Sequence, residues 1–228
     1  SSRAPATPTP APPPSKQDVI ITLSGNFSNS TSSISMVSFN LDWHENTEEP
    51  PFWVNMSAMV IDLDSRRLRT SASSLKGANL RIGGSEGDVL CYDVPSYNST
   101  CKSMGQTDPL MCLGMERFEA LGKFAQDTGT HLVFGLNAVW GRKNHDLNNS
   151  LDMTNIAALL AYAAEHKVPL FGVELGNEKC GPPPALFAAD YRNLQALLAK
   201  YWPDKSTRPL LIGNDCNTNP KYLSEWLP

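Results

Sequence analysis

Apolar positions along most of this chain follow two alternating patterns. Short apolar runs at residues 19–23, 34–41, 78–84, 131–136, 170–175 and 209–213 read as strands, several of them closed by glycine. Between them, apolar residues recur at helical spacing over about 64–75, 115–127, 155–166 and 184–201. Leu63, Leu68, Ala72 and Leu75 make the stripe of the first helix, and Arg66, Arg67 and Arg69 face out. Phe118, Leu121, Phe124 and Ala125 make the stripe of the second, with Gly129 as its expected C-terminal cap. Thr154 is the expected N-cap of the third. Residues 92–109 follow neither period and read as an irregular loop. Strands that are apolar throughout need cover on both faces. Their alternation with amphipathic helices, strand then helix about five times, predicts an α/β chain with a parallel sheet.

The first 17 residues stand apart. Six of the chain's 18 prolines fall within the first 14 positions, among Ala, Ser and Thr. Nothing there has apolar periodicity, so the segment reads as a polyproline-like linker or stalk. For the rest, 41% hydrophobic residues with a net charge of −4 argue against wholesale disorder and against a basic nucleic-acid binder. No apolar run approaches the roughly 20 residues that span a bilayer, so no transmembrane segment is expected. The chain opens neither with Met nor with a basic-then-apolar leader, and a processed or trimmed N-terminus is the simplest expectation.

The five cysteines are Cys91, Cys101, Cys112, Cys180 and Cys216. They form no C-x-x-C pair and lie far in sequence from the four histidines, so no metal site is expected. Asn-x-Ser/Thr sequons at Asn26, Asn29, Asn55, Asn98 and Asn148 point to secretion and hence to an oxidising compartment in which thiols pair. The expected bridges are Cys101–Cys112 and Cys180–Cys216, with Cys91–Cys101 as the competitor. One cysteine is left over, free or bonded outside the chain.

Chemistry concentrates at Phe171-Gly172-Val173-Glu174-Leu175-Gly176-Asn177-Glu178, an apolar strand that ends in Asn then Glu. In barrels of parallel strands, reactive groups sit at strand C-termini. A carboxylic acid there can protonate a departing sugar oxygen, and a neighbouring amide can hold a sugar hydroxyl. No G-x-G-x-x-G follows the first strand and no phosphate-binding glycine loop is present, so a nucleotide site has no support. Trp43, Trp53 and Trp140 offer flat faces suited to sugar rings or to core packing.

Six segments in order then carry a resemblance. They are Ser38-Phe39-Asn40-Leu41-Asp42-Trp43, Leu68-Arg69-Thr70, Leu80-Arg81-Ile82-Gly83-Gly84-Ser85, Cys112-Leu113-Gly114-Met115-Glu116-Arg117-Phe118, Val133-Phe134-Gly135-Leu136-Asn137-Ala138 and Glu174-Leu175-Gly176-Asn177-Glu178. Together they resemble the heparanase-like enzymes of glycoside hydrolase family 79, particularly the plant branch. The likeness runs from about Asp18 to Trp226. It implies a TIM (β/α)8 barrel beside a small β-sandwich, with retaining β-glucuronidase-type action on a glycan and no cofactor. Residues 18–34 then hold a strand of the sandwich, and 35–228 the first five strands of the barrel. Glu178 matches the acid/base and Asn177 the amide beside it. Asp42 and Ser85 match pocket-lining positions, Asn137 matches a third-strand Asn that serves either the substrate or the fold, and the Trp43 ring is a further candidate for binding the sugar. Two departures stand out: Lys179 replaces the usual Pro or Leu after Asn-Glu, and Leu151-Asp152 stands where Trp-Asp is expected. The basic patches of animal heparanases are missing, so heparan sulfate is not the expected substrate.

A retaining glycosidase needs a second carboxylate as nucleophile. In this family it sits on a late barrel strand, which this sequence does not reach. Two readings follow. In one, the segment is the N-terminal part of a secreted or cell-surface glycosidase, inactive by itself and completed by the rest of the same protein. In the other, it is a non-catalytic glycan-binding or structural module of an extracellular assembly, for instance in a cell wall.

Overall fold

The computed structural model describes residues 37–43, 55–95, 101, 112–178, 182–213 and 220–226. The chain divides by its contacts into residues 1–33 and 34–228. All the described residues belong to the second unit. The expected stalk and the strand at 19–23 lie outside the described residues.

Five strands form one sheet: β1 (Ser38–Asp42), β2 (Asn79–Gly83), β5 (His131–Leu136), β6 (Leu170–Leu175) and β7 (Leu210–Ile212). They lie side by side in chain order, and every neighbouring pair is parallel. Helices α1 (Arg66–Ser74), α2 (Met115–Thr128), α3 (Thr154–Glu165) and α4 (Pro184–Tyr201) make the crossovers, and α5 (Pro220–Trp226) follows β7. A doubly wound sheet reverses its strand order at a switch point. This one does not, which is compatible with part of a (β/α)8 barrel.

Alternation along each strand assigns the two faces. Leu80, Ile82, Leu132, Phe134, Leu136, Val173 and Leu175 belong to the core built with the helices. Phe134 lies at its centre, edge-on to both Trp43 and Phe118. Arg81, Gly135 and Glu174 occupy the opposite face. That face is polar and rich in glycine. The stripe foreseen on α2 is realised: Phe118, Leu121, Phe124 and Ala125 are all buried. Gly129 caps the helix in the left-handed conformation at φ 70. The start of α3 differs by one position. Thr154 is its first helical residue, and Asp152 Oδ1 accepts from the Thr154 amide at 2.8 Å. The N-cap is Met153, with Asp152 making an Asx turn just ahead of it, and one-residue differences at helix ends are ordinary.

The segment read as an irregular loop contains regular structure. β3 (Cys91–Asp93) and β4 (Cys112–Gly114) pair in parallel as a small second sheet with Cys91 opposite Cys112. Three-residue strands leave no periodic trace in a sequence. The bridge expected between Cys101 and Cys112 is not formed. Cys101 is bonded to Cys91, with Cα atoms 5.7 Å apart, and Cys112 is a half-buried thiol. Cys91 and Cys112 are cross-strand neighbours, and only the folded geometry decides that Cys101 bonds to Cys91. Burial, and then the charge of Asp93, raise the Cys112 thiol above its ordinary pKa. Cys180 and Cys216 lie outside the described residues. Among the described residues, no helix is long and apolar enough to cross a membrane.

Candidate active site

The C-terminal ends of β1, β2, β5 and β6 converge on one rim of the sheet. β1 delivers Asp42 there. Beyond β2, Gly84 stands at φ 123, a region that residues with a Cβ rarely adopt. A Cβ at Gly84 would collide with the Asp42 carboxylate. This glycine therefore lets the acid lie against the turn that carries Ser85. Beyond β6, the chain turns through Gly176 at φ 79 and Glu178 at φ 49. For a non-glycine residue, left-handed backbone costs about 1–2 kcal/mol. Such strain gathers at functional positions. Glu178 is exposed on this rim.

Asn177 is held from three sides. Its backbone N–H donates to Asp88 Oδ2 at 3.2 Å. Its Oδ1 accepts from Arg81 Nη2 at 2.9 Å, and its Nδ2 faces Ser85 Oγ at 3.4 Å. Arg81 in turn donates through Nε to Glu174 Oε1 at 2.5 Å. Its Nη1 lies 3.5 Å from Asn40 Oδ1, and Asn40 Nδ2 lies 3.4 Å from Asp42 Oδ2. A polar chain thus runs along the rim from Asp42 to Asn177. The narrow cleft beside it is lined by Arg81, Leu136, Glu174, Asn177 and five glycines.

Two expected site residues are placed elsewhere. Asn137 is buried, and its side chain is committed to the backbone. Nδ2 donates to Leu90 O at 2.7 Å, while Oδ1 accepts from the Val139 and Trp140 amides at 2.8 Å each. It organises the loop after β5 and offers no free face to a sugar. Trp43 is 1% exposed and packs under Gly87 and against Phe134, so its ring is a core element and not a stacking platform. The flat face that suits a sugar ring suits core packing equally well, and here the core takes it.

Three residues given no role from the sequence support the rim: Asp88 beside it, and Arg81 and Glu174 beneath it. A trace was present, since Arg81 and Glu174 interrupt otherwise apolar strands, and buried charges are almost always paired. Asp88 left no such trace in its glycine-rich turn. Of the sequons, Asn55 and Asn148 are exposed. Asn148 lies in the loop between β5 and α3, where its amide donates to Asp146 Oδ1 at 2.9 Å. Asn26, Asn29 and Asn98 lie outside the described residues, as do Trp53 and Lys179. Among the described residues, no cluster of His, Cys, Asp and Glu has metal-binding geometry.

Comparison with known proteins gives the family. The profile of glycosyl hydrolase family 79, N-terminal domain, matches residues 18–228. Heparanase-like protein 3 of Arabidopsis thaliana is 29% identical over 190 residues, covering 77% of this chain and 35% of that protein. Heparanase-like protein 2 of the same plant is 27% identical over 208 residues, covering 82% and 38%. The baicalin-β-D-glucuronidase of Scutellaria baicalensis is 24% identical over 204 residues, covering 77% and 38%. The chain therefore spans little more than a third of the length of these curated relatives. A parallel sheet wound in chain order, a carboxylate and amide beyond its fourth strand, and a family match over nearly the whole chain agree: the protein belongs to glycosyl hydrolase family 79, of which these residues are the N-terminal domain.

Proposed function

We propose that this domain supplies the acid/base side of the active site in a secreted or cell-surface retaining β-glucuronidase-type hydrolase that acts on a glycan or glycoside. The observation that carries the reading is the strained turn after β6. There Asn177 is tied to Arg81, Asp88 and Ser85, and Glu178 follows it at the rim. Glu178 protonates the departing glycosidic oxygen and afterwards takes a proton from the attacking water. Asn177 donates its amide N–H to a sugar hydroxyl and so holds the ring in place for the transition state. Asp42 and Ser85 line the same edge and hold further hydroxyls.

The nucleophilic carboxylate comes from a later part of the longer protein and stands roughly 5–5.5 Å from Glu178, as retention requires. By itself the 228-residue segment is inactive. The glucuronidase named among the relatives supports a glucuronide substrate. The exposed sequons at Asn55 and Asn148 support passage through the secretory route.

The test is hydrolysis of an aryl β-glucuronide by the full-length protein and its Glu178→Gln variant. The glutamine keeps the size of the side chain and removes the proton. Substrates with poor leaving groups are expected to slow by about 10²- to 10⁴-fold, the usual worth of a general acid. Equal rates in the two proteins would refute Glu178 as acid/base.

A further inference from the structure

We propose that Arg81 and Glu174 are a positioning pair that sets the orientation of the Asn177 carboxamide and so decides which of its atoms meets the substrate. The inference rests on the glycosidase reading of this rim and extends it to two residues beneath it. Asn177 can lie in either of two flipped states, which are nearly identical in shape and opposite in chemistry. A guanidinium only donates. With Arg81 Nη2 at 2.9 Å, the atom facing Arg81 has to be the carbonyl oxygen. The NH2 group then faces Ser85 Oγ at 3.4 Å, a long contact, and the open rim. The outward group is thus a donor, as a sugar hydroxyl acceptor needs.

Arg81 itself is fixed by Glu174, whose carboxylate is 7% exposed and 2.5 Å from Arg81 Nε. The two side chains reach each other across β5 over Gly135. A Cβ there would stand 3.3 Å from Glu174 Oε1 and 3.2 Å from the Ile82 carbonyl. The guanidinium also lies over Gly83, where a Cβ would come within 2.8 Å of Arg81 Cζ. Two glycines and a buried acid thus build a seat for one fork-shaped cation. A lysine ammonium has no such fork and cannot serve Glu174 and Asn177 through two fixed arms.

The experiment is a double-mutant cycle in the full-length protein with an aryl β-glucuronide. Arg81→Met and Glu174→Gln are made in wild-type and Asn177→Ala backgrounds, with Arg81→Lys as the charge-conserving variant. Each of the first two is expected to lower kcat by about 10- to 100-fold in the wild-type background, the scale of a misplaced polar contact. KM should change little. In the Asn177→Ala background the same changes should cost only a few-fold, because the group they position is gone. Arg81→Lys should recover thermal stability without recovering kcat. Equal losses in both backgrounds would make the pair merely structural and overturn the proposal, as would full kcat in Arg81→Lys. If Arg81→Met does not fold, Arg81→Lys and Glu174→Gln carry the cycle. A crystal structure of full-length Glu174→Gln gives a readout that needs no activity. Arg81 and Asn177 are expected to shift together, and unchanged positions would sink the inference. Failure of the Glu178→Gln test, by contrast, overturns the glycosidase reading and leaves the crystallographic result standing.

Discussion

Gly84 shows how much of the rim depends on one missing carbon. At φ 123, with the Asp42 carboxylate occupying the space of a Cβ, Gly84→Ala meets both backbone strain and a collision. Such backbone costs about 1–3 kcal/mol, so the alanine variant should unfold at measurably lower urea concentration. An unchanged midpoint would mean that the turn relaxes freely. Tyr92 makes a second test. Its hydroxyl accepts from the buried Asn137 N–H at 2.8 Å, and burial raises its pKa far above the usual phenol value. Tyr92→Phe leaves that N–H without an acceptor and should cost about 1–3 kcal/mol in chemical denaturation. Neither effect was legible in the sequence. Gly84 was visible as part of a turn and Tyr92 as an aromatic residue, but their contacts lie 42 and 45 positions away along the chain.

At the scale of elements, α1 and α2 pack side by side and are joined by ions. Asp127 on α2 accepts from Lys123 on its own helix and from Arg69 on α1, at 2.9 and 2.7 Å. Lys123 first and Arg69 second hold its carboxyl below the ordinary range. As pH falls, the unfolded chain takes up this proton first, near about pH 3.9. The stabilisation is therefore present above that value and is lost as pH drops through the lower folded pKa. Asp127→Asn should flatten the acid limb of the Tm profile below about pH 4. An identical limb would show that solvent screens the contact fully. The second sheet gives another element-scale prediction. Peptide mapping without reduction should recover Cys91 linked to Cys101, with Cys112 alkylated only slowly at neutral pH because its thiol pKa is raised. Recovery of a Cys101–Cys112 peptide instead would restore the pairing first expected. The four long helices and the strands of the main sheet were legible to within a few residues, since each carries its own pattern of apolar positions. The β3–β4 pair was not, because short strands exist only through their partner.

On the scale of the whole molecule, the sheet is wound in one direction and has a partner on one side only at β1 and β7 among the described residues. Open parallel edges invite association. The 228-residue segment expressed alone should sediment as concentration-dependent oligomers, while the full-length protein should not. Monomeric behaviour of the segment would mean that its edges are covered from within the chain. The family and the parallel α/β class followed from the sequence alone, because periodicity and ordered motifs are local properties that survive unfolding. The tertiary structure alone decided that Asn137 and Trp43 serve the fold, that Cys101 bonds to Cys91, and that Arg81 and Glu174 stand beneath Asn177. Each of these depends on which side chains distant in sequence come within hydrogen-bonding or packing distance. Strand register and missing Cβ atoms set those distances, and no single segment encodes them.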